Sequence, residues 1–314
     1  MKICYLSPPY TDLSFENQLL HGTDIRLVAC AVQDPEDAIR AARDADAILT
    51  AVVPVDADLV NRLEKCRVIV RLGVGYDIVD LASCRRKGIR VCNIPDYGTE
   101  EVANHAIALC FAVHRRILLY DRNVRNGKWG HVLPWPIHRL STLRVGVLGL
   151  GRIGSTFARS IEPFVRDVVG FDPFLTPEQF AAKGLARTAQ EAVFESSDII
   201  SLHLPLSKES HHVISDAAIA QMKRCPILIN VSRGGLIDSA ALARALESGK
   251  LSGAGLDVFE DEPNVRPELL ALKNIVLTPH VAWYSEEADL QLRRSAIEEI
   301  VRVLAGELPK NPVV

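Results

Sequence analysis

Three glycines with the spacing Gly149-x-Gly151-x-x-Gly154 follow a run of Val and Leu residues and precede a stretch of helical periodicity. This pattern is typical of a turn that binds the diphosphate of a dinucleotide. Gly149 allows the tight turn, Gly151 lets a pyrophosphate approach the backbone, and Gly154 lets the helix pack against the strand. We expect the backbone N–H groups of Arg152 and Ile153 to point at the phosphates from the first helical turn.

A carboxylate stands at the end of the next predicted strand. Asp172 lies 18 residues beyond Gly154, close to the spacing at which an acidic residue accepts hydrogen bonds from the adenosine ribose of NAD. The same charge would repel the 2′-phosphate of NADP, and no Arg or Lys occurs in residues 173–175. The sequence therefore predicts NAD as the cofactor.

Three later strands also end in polar side chains, where open parallel sheets build their sites. Arg233 follows one strand, Asp257 and Glu262 follow the next, and His280 follows the last. Each of these residues alone is unremarkable, because an isolated residue of this kind is more often a surface or structural residue. Their order along the chain after the glycine turn is what makes them candidates for chemistry.

The elements that must position these residues form two consecutive series of alternating strands and helices. The predicted strands cover residues 3–7, 26–31, 47–52, 68–72 and 90–94 in the first series and 143–148, 167–171, 198–202, 227–231, 253–258 and 275–277 in the second. Their hydrophobicity is continuous, which indicates strands covered on both faces of parallel sheets. We also predict a helix over 99–118, a polar arm over 121–142 and a final helix over 285–304.

Composition narrows the class of protein. The 314 residues are 48% hydrophobic and 24% charged with a net charge of −3, which excludes a disordered chain and argues against a nucleic-acid or membrane partner. Seven cysteines without a Cys-x-x-Cys pair predict reduced thiols and a cytoplasmic location, with no metal site. Trp129 and Trp135 in the polar arm suggest a homodimer interface, although burial against their own domain is an equal alternative.

Several segments, in this order, resemble the D-isomer-specific 2-hydroxyacid dehydrogenase family, and within it the branch of C-terminal-binding-protein-like dehydrogenases. Besides the glycine turn, the segments that carry the resemblance are RLGVGYD at 71–77, VANHA at 102–106, LHLPL at 202–206, SRGGLID at 232–238 and TPHVAWYSEE at 278–287. The resemblance extends over nearly the whole chain. It implies an α/β fold of two doubly wound, parallel-sheet, Rossmann-like domains with the active site in the interdomain cleft.

By this resemblance, Arg233 binds the carboxylate and carbonyl of the substrate, His280 is the acid/base, and Glu262 pairs with His280. The chemistry is consistent with these roles. A guanidinium binds a carboxylate through two parallel charge-assisted bonds, and histidine exchanges protons near neutral pH. Reduction of a 2-keto acid needs both groups, because hydride reaches the carbonyl carbon while a proton reaches its oxygen.

The resemblance also implies the boundaries and the roles of the two domains. Residues 1–98 and 285–314 would form a flavodoxin-like substrate-binding domain, and residues 99–284 an inserted NAD-binding Rossmann domain. Val74 and Gly75 would offer backbone N–H groups to the substrate carboxylate, and Trp283 would line the substrate pocket. For Trp283, plain core packing is an equal alternative.

Further cofactor contacts follow from the same resemblance. Leu204 and Pro205 would border the adenosine half, Val231 and Ser232 the nicotinamide ring, and Asp257 the nicotinamide side. For Leu204 and Pro205 core packing is again an equal alternative. Four histidines have no acid or cysteine partner at ligand spacing, so we expect them to be structural or surface residues: His105, His114, His211 and His212.

The expected function is that of an NAD(H)-dependent oxidoreductase interconverting a small 2-keto acid, similar to glyoxylate or hydroxypyruvate, and its D-2-hydroxy acid. Two alternatives stay open at this point. One is an NAD(H)-sensing, corepressor-like binding protein, and the other is a phosphite-type dehydrogenase on the same scaffold.

Overall fold

A computed structural model of the chain describes residues 1–131 and 136–314. The chain forms two compact units. Unit 1 comprises Met1–Gly98 and Ser285–Val314, and unit 2 comprises Thr99–Tyr284. Every strand pair within the two sheets is parallel, so the predicted parallel α/β architecture is confirmed.

Unit 1 is built on a five-stranded sheet with the order β2-β1-β3-β4-β5, which is the flavodoxin-like order. Its strands are β1 (Lys2–Leu6), β2 (Arg26–Cys30), β3 (Ala47–Thr50), β4 (Val68–Arg71) and β5 (Arg90–Cys92). Its helices are α1 (Ser14–Leu19), α2 (Pro35–Ala42), α3 (Ala57–Arg62), α4 (Leu81–Lys87) and, from the end of the chain, α13 (Glu286–Leu304).

Aspartate side chains cap the beginning of three helices of unit 1. Asp34, Asp56 and Asp80 each accept a hydrogen bond from a backbone N–H in the first turn of α2, α3 and α4, respectively. An acidic N-cap satisfies an otherwise orphaned donor and suits the positive end of the helix dipole. Gly88 then ends α4 in a left-handed conformation with φ +67°, as glycine does after many helices.

Unit 2 is built on a seven-stranded sheet with the order β12-β11-β10-β9-β6-β7-β8, which contains the Rossmann strand order. Its strands are β6 (Arg144–Leu148), β7 (Asp167–Phe171), β8 (Ala186–Arg187), β9 (Ile199–Leu202), β10 (Ile227–Asn230), β11 (Gly253–Leu256) and β12 (Ile275–Leu277). Its helices are α5 (Thr99–His114), α6 (Ile117–Arg125), α7 (Arg152–Ile161), α8 (Pro177–Ala182), α9 (Gln190–Ser196), α10 (Asp216–Gln221), α11 (Ser239–Glu247) and α12 (Pro267–Leu270).

The prediction of a single helix over 99–118 is wrong at its C-terminal end, because the helix is interrupted at Arg116. This residue adopts a left-handed φ of +56°, and the following α6 continues into the segment predicted to be an arm. Helix α5 buries seven of its residues whereas α6 buries none, so the break separates a core helix from a surface helix. Trp129 is 93% exposed, and Trp135 lies outside the described residues.

Two short elements escaped the sequence analysis, namely helix α1 and strand β8. Both are too short for a clear periodicity. Within the described ranges, no helix by itself is long and apolar enough to cross a bilayer. The α5–α6 pair, bent by 58°, meets that criterion by length and composition only. The described residues contain no cluster of three or more His, Cys, Asp or Glu side chains that could hold a metal ion.

Candidate active site

The glycine turn connects β6 to α7 and is formed by close backbone contacts. Gly149 has a φ of +90°, and a Cβ there would lie 2.6 Å from the carbonyl oxygen of His203. A Cβ on Gly154 would lie 2.0 Å from the carbonyl oxygen of Gly149. Side chains at these two positions would therefore collide with backbone, which accounts for both glycines.

Gly151 differs from its two neighbours, because an added Cβ would meet no heavy atom of the described residues within 4 Å. Gly151 is also the N-cap of α7, with Arg152 as the first helical residue and Ile153 as the second. The turn thus leaves open space in front of a helix N-terminus, where backbone N–H groups and the helix dipole favour an anion. These residues fit the pyrophosphate of a dinucleotide such as NAD.

Asp172 lies directly after β7 and beside the glycine turn. One carboxylate oxygen accepts a hydrogen bond from the Leu150 N–H at 2.8 Å, and the other accepts from the Phe174 N–H at 2.9 Å. The side chain therefore ties the glycine turn to the loop after β7. Its contact with the adenosine ribose stays a prediction.

The loop that carries Arg233 follows β10 and is held by a fully buried amide. The Asn230 side chain accepts from the Ser232 N–H at 3.0 Å and donates to the Arg233 carbonyl at 2.9 Å. The Ser232 hydroxyl donates to the Leu202 carbonyl at 2.9 Å, and the Arg233 Nη1 donates to the Ser232 carbonyl at 2.8 Å. Sequence reasoning gave no role to Asn230, although a polar residue ending an apolar strand was the available signal.

Close packing brings the Arg233 loop against the loop that carries Glu262. A Cβ on Gly234 would lie 1.9 Å from the carbonyl carbon of Phe259, so only glycine permits this approach. Glu262 turns back to accept a hydrogen bond from the Phe259 N–H at 2.9 Å through Oε1. Its other oxygen, Oε2, lies 2.7 Å from Nδ1 of His280.

The electrostatics of Glu262 reflect these neighbours. Burial by itself would raise the pKa of Glu262, but the hydrogen bonds from His280 and Phe259 and the charge of Arg233 together lower it. Glu262 is therefore ionised at neutral pH, and an ionised carboxylate only accepts hydrogen bonds. Nδ1 of His280 must then carry the proton of this bond, which leaves Nε2 as the ring nitrogen available for chemistry.

His280 lies on the loop after β12 in a left-handed conformation with φ +56°. Its N–H donates to the Asp257 carbonyl at 2.8 Å, and its carbonyl accepts from the indole N–H of Trp283 at 3.1 Å. The Asp257 carboxylate, 1% exposed, accepts from the N–H groups of Val281 and Ala282. The structure thus gives Asp257 and Trp283 contacts within the His280 loop, and their predicted contacts with nicotinamide and substrate stay predictions.

The other predicted cofactor residues lie near the ends of neighbouring strands. Leu204 and Val231 are buried in two separate apolar clusters of unit 2. Pro205 is exposed, and its carbonyl accepts from the Ser210 hydroxyl at 2.7 Å. Leu204 and Val231 thus contribute to the cores, and cofactor contacts for Leu204, Pro205, Val231 and Ser232 stay predictions.

In unit 1, the predicted substrate loop follows β4. The Val74 carbonyl accepts from the Asn93 side-chain amide at 2.6 Å, and Gly73 has a φ of +141°. A Cβ on Gly73 would lie 1.7 Å from Nη1 of Arg71, so the guanidinium lies directly over the loop. Substrate binding by Val74 and Gly75 stays a prediction.

Comparisons with known proteins place the chain among 2-hydroxyacid dehydrogenases. The family model described as "D-isomer specific 2-hydroxyacid dehydrogenase, NAD binding domain" matches residues 107–282. The chain is 36% identical to a glyoxylate reductase of Korarchaeum cryptofilum over 88% of this chain and 84% of that protein. It is 34% identical to a glycerate dehydrogenase of Methylorubrum extorquens over 89% of this chain and 88% of that protein.

A solved structure extends the similarity to three dimensions. The D-lactate dehydrogenase of Aquifex aeolicus, complexed with NAD and lactic acid, superposes with a TM-score of 0.89 at 29% identity. The match covers 99% of each chain.

Proposed function

Because the chain belongs to the D-isomer specific 2-hydroxyacid dehydrogenase family, we propose that it interconverts a small 2-keto acid and the D-2-hydroxy acid, with NAD(H) as cofactor. Glyoxylate- and hydroxypyruvate-like acids are the proposed substrates, in line with the names of two relatives. The observation that carries the proposal is the 2.7 Å contact between His280 and Glu262. The loop that carries Glu262 is in turn packed against the loop that carries Arg233.

Arg233 is the proposed substrate-binding cation. The Asn230 side chain and the packing of Gly234 on Phe259 hold the backbone at Arg233. The side chain that carries the guanidinium therefore extends from a fixed point. A planar guanidinium binds a carboxylate through two parallel bonds and withdraws electron density from the neighbouring carbonyl. This polarisation makes the carbonyl carbon a better hydride acceptor.

His280 is the proposed proton donor to the carbonyl oxygen during reduction, and the acceptor in the reverse direction. With Nδ1–H directed at Glu262, Nε2 is the nitrogen that exchanges the proton. The Glu262 carboxylate orients the ring and offsets its charge while the ring is protonated, which is how an acid partner supports general acid catalysis. When bound, the nicotinamide supplies or accepts the hydride.

The first test is a steady-state screen of 2-keto acids with NADH. We expect glyoxylate or hydroxypyruvate to support NADH oxidation, and Arg233→Ala to lose about 100-fold or more in kcat/KM, since a charge-assisted bidentate contact is lost. Arg244→Ala is the matched control, because Arg244 is a surface residue of unit 2 paired with Asp216. Full turnover by Arg233→Ala would overturn the mechanism.

The role of His280 is tested by His280→Asn, whose amide nitrogen can keep the bond to Glu262 while Nε2 is removed. We expect kcat to fall by about 100-fold or more, within the range of general acid catalysis, with NADH affinity kept. An unchanged pH–rate profile in this variant would exclude His280 as the proton donor. If the unaltered protein binds NADH tightly but turns over no 2-keto acid, the NAD(H)-sensing alternative is favoured. If it oxidises phosphite, the phosphite-type dehydrogenase is favoured.

The preference for NAD over NADP is proposed from Asp172. A carboxylate beside the ribose would repel a 2′-phosphate, so NADH should exceed NADPH in kcat/KM. Asp172→Asn should reduce that preference by about tenfold, the usual scale for one charged hydrogen bond. A wild-type preference for NADPH would refute this role.

We also propose that the protein is a homodimer and that it is cytoplasmic. Trp129 and Val124 are exposed apolar residues in and just after helix α6, at 93% and 56%, which supports a homodimer interface on this side of unit 2. Light scattering of the purified protein should give the mass of a dimer, and Trp129→Glu should shift it towards the monomer. The seven free cysteines support a cytoplasmic location, since reduced thiols persist there.

A further inference from the structure

The loop that presents His280 needs support, because His280 has a left-handed backbone conformation with φ +56°. A side chain other than glycine adopts this conformation only when surrounding contacts hold it there. Asp257 supplies three of the supporting hydrogen bonds. The Asp257 carbonyl accepts the His280 N–H at 2.8 Å, and the Asp257 carboxylate accepts the N–H groups of Val281 and Ala282 at 3.0 and 2.9 Å.

The Asp257 carboxylate has one more donor, on the other side of His280. The Thr278 hydroxyl donates to Oδ1 of Asp257 at 2.6 Å. Asp257 therefore bonds the loop both before and after His280. Since its side chain is buried, each of these donors also offsets the cost of keeping the carboxylate away from water.

The chain of hydrogen bonds continues to a second histidine. Nε2 of His105, on helix α5, lies 3.0 Å from the Thr278 hydroxyl oxygen and 3.7 Å from Oδ1 of Asp257. The longer distance exceeds that of a hydrogen bond. The one hydrogen of the Thr278 hydroxyl is directed at Asp257, so His105 must donate its Nε2–H to Thr278. This direction fixes the tautomer of His105.

We propose that His105 is a positioning residue for the reaction. It acts through Thr278 and Asp257 on the backbone of the loop that carries His280. The proposal rests on the proposed function for its kinetic consequences, but the hydrogen-bond direction can be tested without any substrate. It also revises the expectation that His105 is a structural or surface residue.

The kinetic test compares His105→Ala, which removes the donor, with His105→Gln, whose side-chain amide can donate from a position near Nε2. We expect His105→Ala to lower kcat for 2-keto acid reduction about tenfold while KM for both substrates changes by about twofold or less. His105→Gln should recover most of kcat. His21→Gln, at an exposed position of unit 1, is the control and should match the unaltered protein.

A double-mutant cycle tests whether His105 acts through Thr278. Thr278→Val removes the hydroxyl at nearly constant volume, and we expect it to lower kcat by about as much as His105→Ala. The double variant should then be no slower than either single variant. Additive losses, or no recovery in His105→Gln, would overturn the proposal and leave His105 with a general packing role.

A readout without turnover separates this proposal from the proposed function. In the protein labelled with ¹⁵N-histidine, long-range ¹H–¹⁵N spectra should show His105 as the Nε2–H tautomer. The ring signals of His280 should shift in Thr278→Val and in His105→Ala but not in His105→Gln. A His105 ring in the Nδ1–H form would overturn the positioning role even in an active enzyme. The expected spectra in a protein that reduces no 2-keto acid would refute only the proposed function.

Discussion

The glycine turn (149–154) and the His280 loop (278–282) both follow strands of the unit 2 sheet, but they are held in opposite ways. The glycine turn is held mainly by close contacts between backbone atoms, which leave no room for a Cβ at Gly149 or Gly154, together with one hydrogen bond to the Asp172 side chain. The His280 loop is held by side chains, above all by the Asp257 carboxylate. Added atoms should therefore disrupt the glycine turn, whereas the loss of a single polar atom should disrupt the His280 loop.

The two histidines that belong to these regions differ in the same way. His203 lies behind the glycine turn, with its backbone against Gly149 and its ring 5.0 Å from Phe157. Its Nδ1 is buried with no hydrogen-bond partner among the described residues, and this burial lowers the pKa of His203 to about 3. The His280 side chain is 40% exposed and has a carboxylate partner. Burial keeps the His203 ring neutral, whereas the His280 ring contacts both a carboxylate and solvent.

The largest effect expected from this comparison is that of Gly154→Ala. The new Cβ would lie 2.0 Å from the Gly149 carbonyl oxygen, and backbone cannot move aside as a flexible side chain can. We expect the free energy of unfolding of unit 2 to fall by roughly 3 kcal/mol, measured in urea by tryptophan fluorescence. All three tryptophans belong to unit 2. Unchanged stability would mean that the turn is not held by this contact.

A smaller effect on the stability of unit 2 is expected from the protonation of His203. Because the pKa of His203 is lower in the folded state than the ordinary value of 6.5, the unfolded chain takes up a proton first as the pH falls. Unit 2 should therefore lose stability between pH 6.5 and pH 3. Between pH 7 and 5, His203→Gln should lose about 2 kcal/mol less than the unaltered protein.

The control for this pH dependence is His21→Gln, since His21 is exposed in unit 1. It should show the same loss between pH 7 and pH 5 as the unaltered protein. Equal losses in all three proteins would show that His203 is not the group that titrates. Unfolding should be followed at each pH in urea, because comparison at one denaturant concentration mixes the two units.

The smallest effect on stability is expected for Gly151→Ala, which should mainly weaken NADH binding. Its added Cβ meets open space and its backbone is extended, so the stability of unit 2 should stay within about 1 kcal/mol of the unaltered value. The methyl group would instead occupy the space in front of α7, and NADH affinity should fall about tenfold. A variant that binds NADH normally would place the pyrophosphate elsewhere.

Much of the fold could be predicted from the sequence because its signals are local. Eleven of the twelve strands coincide with predicted apolar runs, since a strand covered on both faces is hydrophobic throughout. The missed strand β8 has two exposed residues, and the break at Arg116 was missed because a left-handed residue is unexpected for arginine. Both errors concern positions whose conformation depends on neighbours distant in sequence.

The sequence by itself determined the glycine turn and the identity of Arg233, Glu262 and His280 as candidates, because glycine spacing and strand ends are read along one chain. Only the tertiary structure decided what these residues contact. Glu262 and His280 are 18 residues apart, and only the family resemblance paired them in advance. His105 and Thr278 are 173 residues apart, and nothing in the sequence paired them. Hydrogen bonds require donor and acceptor to meet within about 3 Å at a suitable angle, and the packing of β10, β11, β12 and α5 supplies that geometry.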